Sequence, residues 1–178
     1  MTEPIFTPAN LVDHRDALLA LNIEYAAWAV PEMEAFFGIN LQASLGMPVA
    51  EYVASMLDTI CGEPPPRGIF YLVELDHQLA GMGGLRWISP GVAEIKRLYV
   101  RPTYRGAKLG ATILQRLLAD ARGFGYERVR LDTAPFMHVA HKLYEAAGFA
   151  DCAPYDGTEA PAFFHPKWRF MEKALSSQ

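Results

Sequence analysis

The sequence predicts an α+β, or mixed α/β, fold: one domain with a central sheet flanked by helices. Three runs of branched and aromatic residues, separated by turn residues, follow one another between residues 69 and 100. After these runs in the sequence, two stretches with apolar residues at helical spacing flank a short strand-like run. The chain has 178 residues, 51% of them hydrophobic, which suffices for one domain with its own core.

The first 66 residues predict a helical segment. Apolar residues crowd a helical pattern over residues 11–30, and Pro31 is expected to interrupt it because proline lacks the N–H that a helix needs. A second helical pattern covers residues 51–60, and Gly62 with the prolines at 64–66 ends it.

The middle of the chain predicts three antiparallel strands. Residues 69–75 form a short run rich in branched and aromatic residues, and residues 79–88 continue as a glycine-rich strand after the turn at 76–78. Ser, Pro and Gly at 89–91 make a second turn that leads into a strand over residues 92–100.

The last third of the chain predicts alternating helices and strands. An amphipathic helix over residues 109–121 is followed by a strand at 129–133 and by a second helix at 139–147. A glycine follows each helix and is typical of a C-terminal cap. After the proline-broken loop 154–166, residues 168–171 predict a last strand.

Composition favours a cytoplasmic protein that spans no membrane. The two cysteines, Cys61 and Cys152, lie far apart in sequence, which favours free thiols in a reducing compartment over a metal knuckle. The sequence contains no apolar run close to the roughly 20 residues of a membrane span. Glu3 and Pro4 stand where a secretory signal would be basic and then apolar.

Charge is distributed unevenly along the chain. The net charge of −4 argues against bulk nucleic-acid binding. Residues 1–66 carry nine acidic residues against one basic residue, whereas residues 86–130 carry ten basic residues against three acidic ones. The basic block suits an anionic ligand, but two solvated faces that neutralise each other across the fold remain an alternative.

The turn 105–110, between the third predicted strand and the helix that follows, has the features of an anion site. The first turn of a helix exposes unpaired N–H groups, and Gly106 and Gly110 keep this turn narrow, so that phosphate oxygens can approach the backbone. Arg105 and Lys108 add positive charge. The alternative is a tight turn whose glycines serve geometry alone.

These residues carry a resemblance to a known family. The stretch 105–110 resembles the Arg/Gln-x-x-Gly-x-Gly/Ala pyrophosphate loop of the GNAT superfamily of acetyl-CoA-dependent N-acetyltransferases. Residues 98–100 resemble the family's splayed strand, and residues 140–149 resemble its later Ala-x-x-x-Tyr-x-x-x-Gly-Phe helix. The resemblance covers residues 69–149 in the expected order.

The sequence departs from the family pattern at two positions. Lys108 stands where the loop often has glycine. Met137 stands seven residues before Tyr144, where many members have an asparagine that bonds the pantetheine arm.

The resemblance implies a mostly antiparallel sheet that is splayed between its fourth and fifth strands, with the pantetheine arm of the cofactor added beside the fourth strand. It divides the single domain 1–178 into an acceptor-side segment (1–66), a cofactor-binding core (67–150) and a late loop with the last strand (151–178). The implied acetyl-CoA-binding residues are Leu98, Tyr99, Val100, Arg105, Gly106, Ala107, Lys108, Leu109, Gly110 and Ala111.

Transfer to an amine needs a group that removes a proton, since an alkylammonium is only about 0.1% neutral at pH 7. Glu94 resembles the glutamate that serves as base in the histone-acetylating members of the family. The alternative is a surface glutamate paired with Lys96 or Arg86.

Tyr144 is the candidate acid, because the family tyrosine that it matches lies near the sulfur of the cofactor. The alternative is a ring that only fills the core. A backbone N–H near Leu98 or Tyr99 is the expected donor to the acetyl carbonyl.

In this superfamily the acceptor pocket is usually built from the N-terminal helices and the late loop. Acidic and aromatic residues in these segments suit a cationic amine, although each aromatic residue is also a candidate core position. They are Glu24, Tyr25, Trp28, Glu32, Glu34, Phe37, Tyr155 and Asp156, with Glu24, Tyr25 and Trp28 the main candidates. His138 is expected to touch the acceptor. His138 and His141 have a spacing that two metal ligands can use, but without a third ligand nearby no metal site is expected.

The resulting expectation is an N-acetyltransferase that moves acetyl from acetyl-CoA to a primary amine of a small molecule or peptide, by direct attack in a ternary complex. The motifs hold no cysteine, so a covalent acetyl-enzyme is not expected. The alternatives are a non-catalytic acyl-CoA-binding sensor and, less favoured, a nucleotide- or phosphate-binding regulator. No nucleic-acid or membrane partner is expected, and a homodimer is left open.

Overall fold

The computed structural model describes residues 3–175, which form one seven-stranded sheet and five α-helices. The predicted domain 1–178 therefore includes five residues, 1–2 and 176–178, that lie outside the described part. The strands are β1 (Ile5–Pro8), β2 (Ile69–Leu75), β3 (Gln78–Ser89), β4 (Val92–Val100), β5 (Arg128–Thr133), β6 (Ala150–Asp151) and β7 (Arg169–Ala174). The helices are α1 (Arg15–Phe37), α2 (Leu41–Leu45), α3 (Val49–Cys61), α4 (Leu109–Gly123) and α5 (His138–Ala146).

The sheet opens between β4 and β5. Its strand order is β1-β2-β3-β4-β5-β7-β6, and every neighbouring pair is antiparallel except β4 and β5, which are parallel. These two strands pair only from Val92 to Glu94, opposite 128–130, whereas β5 continues to pair with β7 as far as Thr133. The predicted fold class, with a sheet splayed between its fourth and fifth strands, is confirmed.

A β-bulge changes the phase of β4 at the opening. Gly84 pairs with Lys96 and Met82 pairs with Tyr99, so two residues of β4 lie opposite one residue of β3. Arg97, at the bulge, has a φ of 52°. Consecutive residues of a regular strand point to opposite faces of the sheet. The extra residue changes this at the bulge, so that Lys96 and Arg97 both point away from the core in which Ile95 and Leu98 pack.

Helices cover both faces of the sheet. On one face α4 and α5 pack over residues from β2 to β5, in a core that includes Val73, Ile113, Leu117 and Leu131. On the other face α1 and α3 pack over β2 to β4, in a core that includes Leu18, Leu57, Phe70, Met82 and Tyr99. The sheet is thus the middle of three layers, and its opening lies between the two helical layers.

The predicted interruption at Pro31 is wrong, since α1 continues from Arg15 to Phe37. Pro31 removes the N–H that would bond the carbonyl of Ala27, but both residues are exposed, so water can satisfy that carbonyl. Beyond the proline, the ring of Phe37 packs 4.5 Å from the ring of Phe164 and anchors the last turn.

Three short elements were not predicted from the sequence: β1, α2 and β6 have four, five and two residues. Such segments have too few residues to show a period, and pairing with longer neighbours holds β1 and β6 in place. Within residues 3–175, the structure contains no helix that is both long enough and apolar enough to cross a membrane.

Gly84 of β3 provides a test of the packing beside the bulge. A Cβ at this position would overlap the buried ring of Phe70. We expect Gly84→Ala to lower the free energy of unfolding by about 1–3 kcal/mol in urea denaturation. A matched control is Gly123→Ala at the end of α4, where a Cβ meets nothing within 4 Å, and this change should raise stability by about 0.5 kcal/mol. Equal stability of the two variants would contradict the close packing of Gly84 against the Phe70 ring.

Candidate active site

A cavity of about 820 Å³ occupies the opening of the sheet. The diverging ends of β4 and β5 form its floor, and the start of α4 and the inner side of α5 form one flank. Helices α1, α2 and α3 form the other flank, and the late loop, residues 152–168, closes over it. Segments that are far apart in sequence therefore meet around one space.

The turn 105–110 presents free backbone amides to this cavity. The first intrahelical bond of α4 runs from the N–H of Thr112 to the carbonyl of Lys108, so the three preceding amides have no helical partner. Gly106 has a φ of 90°, which favours glycine, and a Cβ there would meet nothing within 4 Å. Arg105 bonds the carbonyl of Val100 at 3.2 Å, and its guanidinium lies over the Trp28 ring. Backbone amides and positive charge thus meet at one end of the cavity.

Most of the predicted acetyl-CoA-binding residues lie on the cavity wall. The residues found there are Leu98, Tyr99, Val100, Arg105, Gly106, Lys108, Leu109, Gly110 and Ala111, whereas Ala107 is not part of the wall. Leu98 and Val100 also pack into the core beneath α4, and the Tyr99 ring packs into the opposite core. Their side chains hold the strand while its unpaired edge faces the cavity.

Glu94 is fully buried and does not lie on the cavity wall. Its carboxylate accepts hydrogen bonds from Arg86 at 2.7 Å and from the Tyr155 hydroxyl at 2.8 Å, and Lys96 lies 3.3 Å away. Burial raises the pKa of this carboxyl, and the charges of Lys96 and Arg86 oppose that rise only in part. Both pairing partners considered from the sequence are present, although the residue is buried rather than on the surface.

Lys96 is the centre of a buried charge cluster. Its ammonium group lies 3.0 Å from Asp132, 3.3 Å from Glu94 and 3.6 Å from Glu159. Arg86 and Arg97 are the other two cations of this group. With three cations and three carboxylates the cluster has no net charge, which is what a buried ionic group requires.

Asp132 of β5 is held by three donors. The Lys96 ammonium and the Thr158 hydroxyl contact one oxygen at 3.0 and 3.1 Å, and the Trp168 indole N–H donates to the other at 2.9 Å. Burial pushes the pKa of Asp132 upward, but the Lys96 charge and these hydrogen bonds outweigh it and leave the pKa below the usual range. The carboxylate therefore stays ionised at neutral pH.

Tyr144 of α5 is buried and lies on the cavity wall. Burial, followed by the nearby Tyr25 and Asp132, raises the pKa of its hydroxyl. The group therefore stays protonated at neutral pH and can donate a hydrogen bond to a ligand.

Of the main acceptor candidates, Tyr25 and Trp28 lie on the cavity wall, and so does His138, which was also expected to touch the acceptor. Glu24 does not, because its carboxylate accepts hydrogen bonds from the Tyr99 hydroxyl at 3.0 Å and from Arg101 at 2.9 Å.

The other residues predicted for the acceptor pocket do not lie on the cavity wall. Glu34 accepts the backbone N–H of Leu41 at 2.7 Å, and Phe37 packs against Phe164 beside the wall. The Tyr155 hydroxyl donates a hydrogen bond to Glu94, and Glu32 and Asp156 are exposed to solvent. The acidic N-terminal segment therefore contributes no carboxylate to the cavity.

Several residues of the cavity wall were not predicted from the sequence. Asp132 and Glu159 are single acidic residues in a strand and a loop, and neither forms a motif that would mark it. The apolar end of the wall comes from helices that pattern alone would assign to the core: Met33, Leu45, Val49, Tyr52 and Val53. Met137, at the expected asparagine position, lies on the wall with its sulfur 3.6 Å from the Thr133 hydroxyl.

The histidines of α5 form no metal site with their neighbours. The rings of His138 and His141 stand 5.8 Å apart, and Nε2 of His141 contacts the carbonyl of Ala134 at 3.0 Å. Across residues 3–175, no group of three or more potential metal ligands is found.

Comparison with known proteins gives a family match. The model of the acetyltransferase (GNAT) family matches residues 28–149, which is more than half of the chain. An uncharacterized N-acetyltransferase of Schizosaccharomyces pombe is 37% identical over 93 residues, which are 51% of this chain and 57% of that protein. The chain spans about half the length of the first curated relatives that it matches.

Solved structures share the fold at low sequence identity. An acetyltransferase of the GNAT family from Staphylococcus aureus superposes with a TM-score of 0.70 at 16% identity, covering 98% of this chain and 100% of that one. An N-acetyltransferase from Thermoplasma acidophilum, in complex with coenzyme A, has a TM-score of 0.64 at 18% identity, covering 97% and 99%.

The charge cluster should contribute strongly to stability. We expect Glu94→Gln to lower the free energy of unfolding by about 3–5 kcal/mol, because Arg86 and Lys96 then lose a buried counter-charge. Tyr155→Phe is the control: it removes one hydrogen bond to the same carboxylate without changing charge, and it should cost about 1.5–3 kcal/mol. Urea denaturation at pH 7 measures both. A smaller loss in Glu94→Gln than in Tyr155→Phe would refute the assigned importance of the ion pairs.

Proposed function

Because the chain belongs to the acetyltransferase (GNAT) family, we propose that it is an N-acetyltransferase that uses acetyl-CoA. The acceptor is a primary amine of a small molecule or peptide, which attacks directly within a ternary complex. One observation carries the proposal: a single cavity joins the amide-rich turn 105–110, the unpaired edge of β4 and the Tyr144 hydroxyl. A diphosphate, a pantetheine arm and a thioester need these three features in this order.

The turn 105–110 fits the diphosphate of acetyl-CoA. Its free amides at the start of α4 are hydrogen-bond donors, and the helix dipole adds positive potential. Apart from Gly106 and its two chain neighbours, no residue has an atom within 4 Å of the point where a Cβ on Gly106 would be, so an oxygen has room to approach the backbone. Arg105 and Lys108 supply positive charge beside these amides.

The free edge of β4 fits the pantetheine arm. Pairing with β5 ends at Glu94, so from 98 to 100 the β5-facing edge of the backbone can bond an added extended chain. An amide of this edge, near Leu98 or Tyr99, is the proposed donor to the acetyl carbonyl.

The Tyr144 hydroxyl is proposed as the proton donor to the departing thiolate. Acetyl-CoA supplies the acetyl group as an activated thioester. A tyrosine hydroxyl is protonated at neutral pH, which is the form that an acid needs, and this hydroxyl lies on the cavity wall.

The role of Glu94 as base stays a prediction. Arg86 and Tyr155 hold its carboxylate away from the cavity wall, so a proton from the amine would have to reach it through water or an intervening side chain. If Glu94 is the base, the rate rises with pH through its raised pKa, and Glu94→Gln removes that rise. An unchanged pH-rate profile excludes the role.

The reaction is proposed to take place in the cytosol. Both Cys61 and Cys152 are free thiols, which supports a reducing compartment.

Release of free thiol from acetyl-CoA, followed across a panel of primary amines, tests the activity. An enzyme releases thiol in proportion to acetylated amine. Calorimetric binding of acetyl-CoA without turnover of any amine would instead identify a non-catalytic acyl-CoA sensor. Competition by ATP but not by CoA would identify a nucleotide-binding regulator.

We expect Lys108→Glu to weaken CoA binding at least about tenfold in calorimetry, because it places a negative charge beside the bound diphosphate. Arg122→Glu makes the same charge change on the exposed surface at the other end of α4, about 20 Å away along the helix axis, and should leave the affinity unchanged. Pantetheine, which lacks the diphosphate, should bind wild type and Lys108→Glu alike. A loss of pantetheine binding as well would assign the defect to folding.

We expect Tyr144→Phe to lower kcat about 100-fold while the affinity for acetyl-CoA stays the same, because only the proton donor is lost. The measurement is thiol release at saturating acetyl-CoA. Tyr126→Phe removes a hydroxyl that bonds the carbonyl of Arg67 away from the cavity and should keep its kcat. Full turnover by Tyr144→Phe would exclude the acid role.

A further inference from the structure

We propose that the acceptor is a zwitterion of the α-amino acid class with an apolar or aromatic side chain, its ammonium held by Glu159 and its carboxylate by Arg97. This inference rests on the proposed function and specifies its substrate. Arg97 and Glu159 stand side by side at the opening of the sheet, with Nη2 of Arg97 3.5 Å from Oε2 of Glu159. Both residues belong to the cavity wall.

The unpartnered polar atoms of the protein collect at this cavity. Within residues 3–175, the buried side-chain atoms without a hydrogen-bond partner are Nε of Arg97, Oε1 of Glu159 and Oδ1 of Asn22, and all three residues line the cavity. A buried donor or acceptor without a partner is unfavourable, so native structures leave few of them. The unpartnered Arg97 and Glu159 atoms have almost no exposed surface themselves, so a ligand would meet this pair at the exposed parts of the two side chains, which are 23% exposed in Arg97 and 16% exposed in Glu159.

The charge balance of the site favours a zwitterion over a simple cation. Arg86, Lys96 and Arg97 already balance Glu94, Asp132 and Glu159. A ligand with one net charge would bring an uncompensated charge into a buried cluster, whereas a zwitterion adds none. The carboxylates on the wall are those of Asp132 and Glu159. Asp132 is held by three donors at 2.9 to 3.1 Å, whereas the cations nearest Glu159 are Arg97, Lys96 and Arg86 at the longer distances of 3.5, 3.6 and 3.9 Å. The site therefore offers one carboxylate to an ammonium and one guanidinium to an anion.

The position of this pair suits transfer. Arg97 directly precedes Leu98, where the free edge of β4 is proposed to hold the cofactor, and the bulge turns its side chain away from the core that Leu98 enters. Its guanidinium lies 5.4 Å from the centre of the Tyr25 ring, on the side of α1. An amine bound between Arg97 and Glu159 therefore lies beside the thioester and on the acceptor side of the cavity.

The remainder of the acceptor side is apolar, which sets the class of side chain. Helices α1, α2 and α3 and the late loop contribute Met33, Leu45, Val49, Tyr52, Val53 and Phe164 to the wall. Burial of an apolar side chain against these residues is favourable, whereas a second charged group there would have no partner.

Paired acceptors test this inference. L-Phenylalanine, L-leucine and L-methionine are each compared with the amine that lacks the carboxylate, such as 2-phenylethylamine. We expect the wild type to show a kcat/KM about 10- to 100-fold higher for the amino acid than for its amine. Calorimetry should detect L-phenylalanine binding to the CoA-loaded protein, with much weaker binding of 2-phenylethylamine.

Two variants test which residue binds the carboxylate of the acceptor and which binds its ammonium group. Arg97→Gln should lower kcat/KM much more for the amino acids than for the matching amines, so that the ratio of kcat/KM within each pair falls to a few-fold. Glu159→Gln should raise KM for both members of each pair. Acetyl-CoA affinity, measured by calorimetry, verifies that each variant is folded.

Two results overturn the inference. If amines without a carboxylate are acetylated as well as the amino acids, and Arg97→Gln leaves the ratio unchanged, the zwitterion assignment is wrong while the proposed function stands. If acetyl-CoA does not bind and no amine of either kind releases thiol, the proposed function fails and this inference fails with it.

Discussion

The ammonium group of Lys96 joins the two diverging strands where their backbone pairing ends. Lys96 belongs to β4 and lies 3.0 Å from Asp132 of β5, just beyond the last paired residues, Glu94 and Arg130. A charged side chain spans a gap that backbone N–H and C=O groups cannot bridge, so the sheet opens and still stays connected. The same ammonium is buried and needs counter-charges, which fixes where Glu94 and Asp132 must lie.

This cluster also positions the late loop. Thr158 donates to Asp132, Glu159 lies 3.6 Å from Lys96, and the indole of Trp168 donates to Asp132. A loop without long regular structure is therefore held over the cavity by polar contacts with the sheet, and aromatic packing of Phe37 against Phe164 ties it to α1. The roof, the floor and one flank of the cavity depend on the same few contacts.

The bulge in β4 gives the cavity two chemically different sides. Without the extra residue, Lys96 and Arg97 would point to opposite faces of the sheet. With it, both leave the core where Ile95 and Leu98 pack, and they can meet carboxylates from β5 and from the late loop. The turn 105–110 and the free edge of β4 line one side of the cavity, and charged and apolar surfaces toward α1 and α3 line the other side.

The sequence by itself determined the longer helices and strands and the turn 105–110. Hydrophobic spacing, turn residues and glycines act between residues that are close together in the chain, so these elements show in the sequence. Local motifs identified Tyr144 and most of the residues of the turn 105–110 that lie on the cavity wall. Sequence-based prediction failed at Pro31, where exposed helix tolerates a lost bond, and at elements too short to show a period. Only the tertiary structure decided the full charge cluster, because it brings Lys96 to Asp132, 36 positions away in sequence, and to Glu159 of the late loop. The roles of Asp132 and Glu159, and the burial of Glu94, depend on where the fold brings opposite charges together, and no local pattern encodes that.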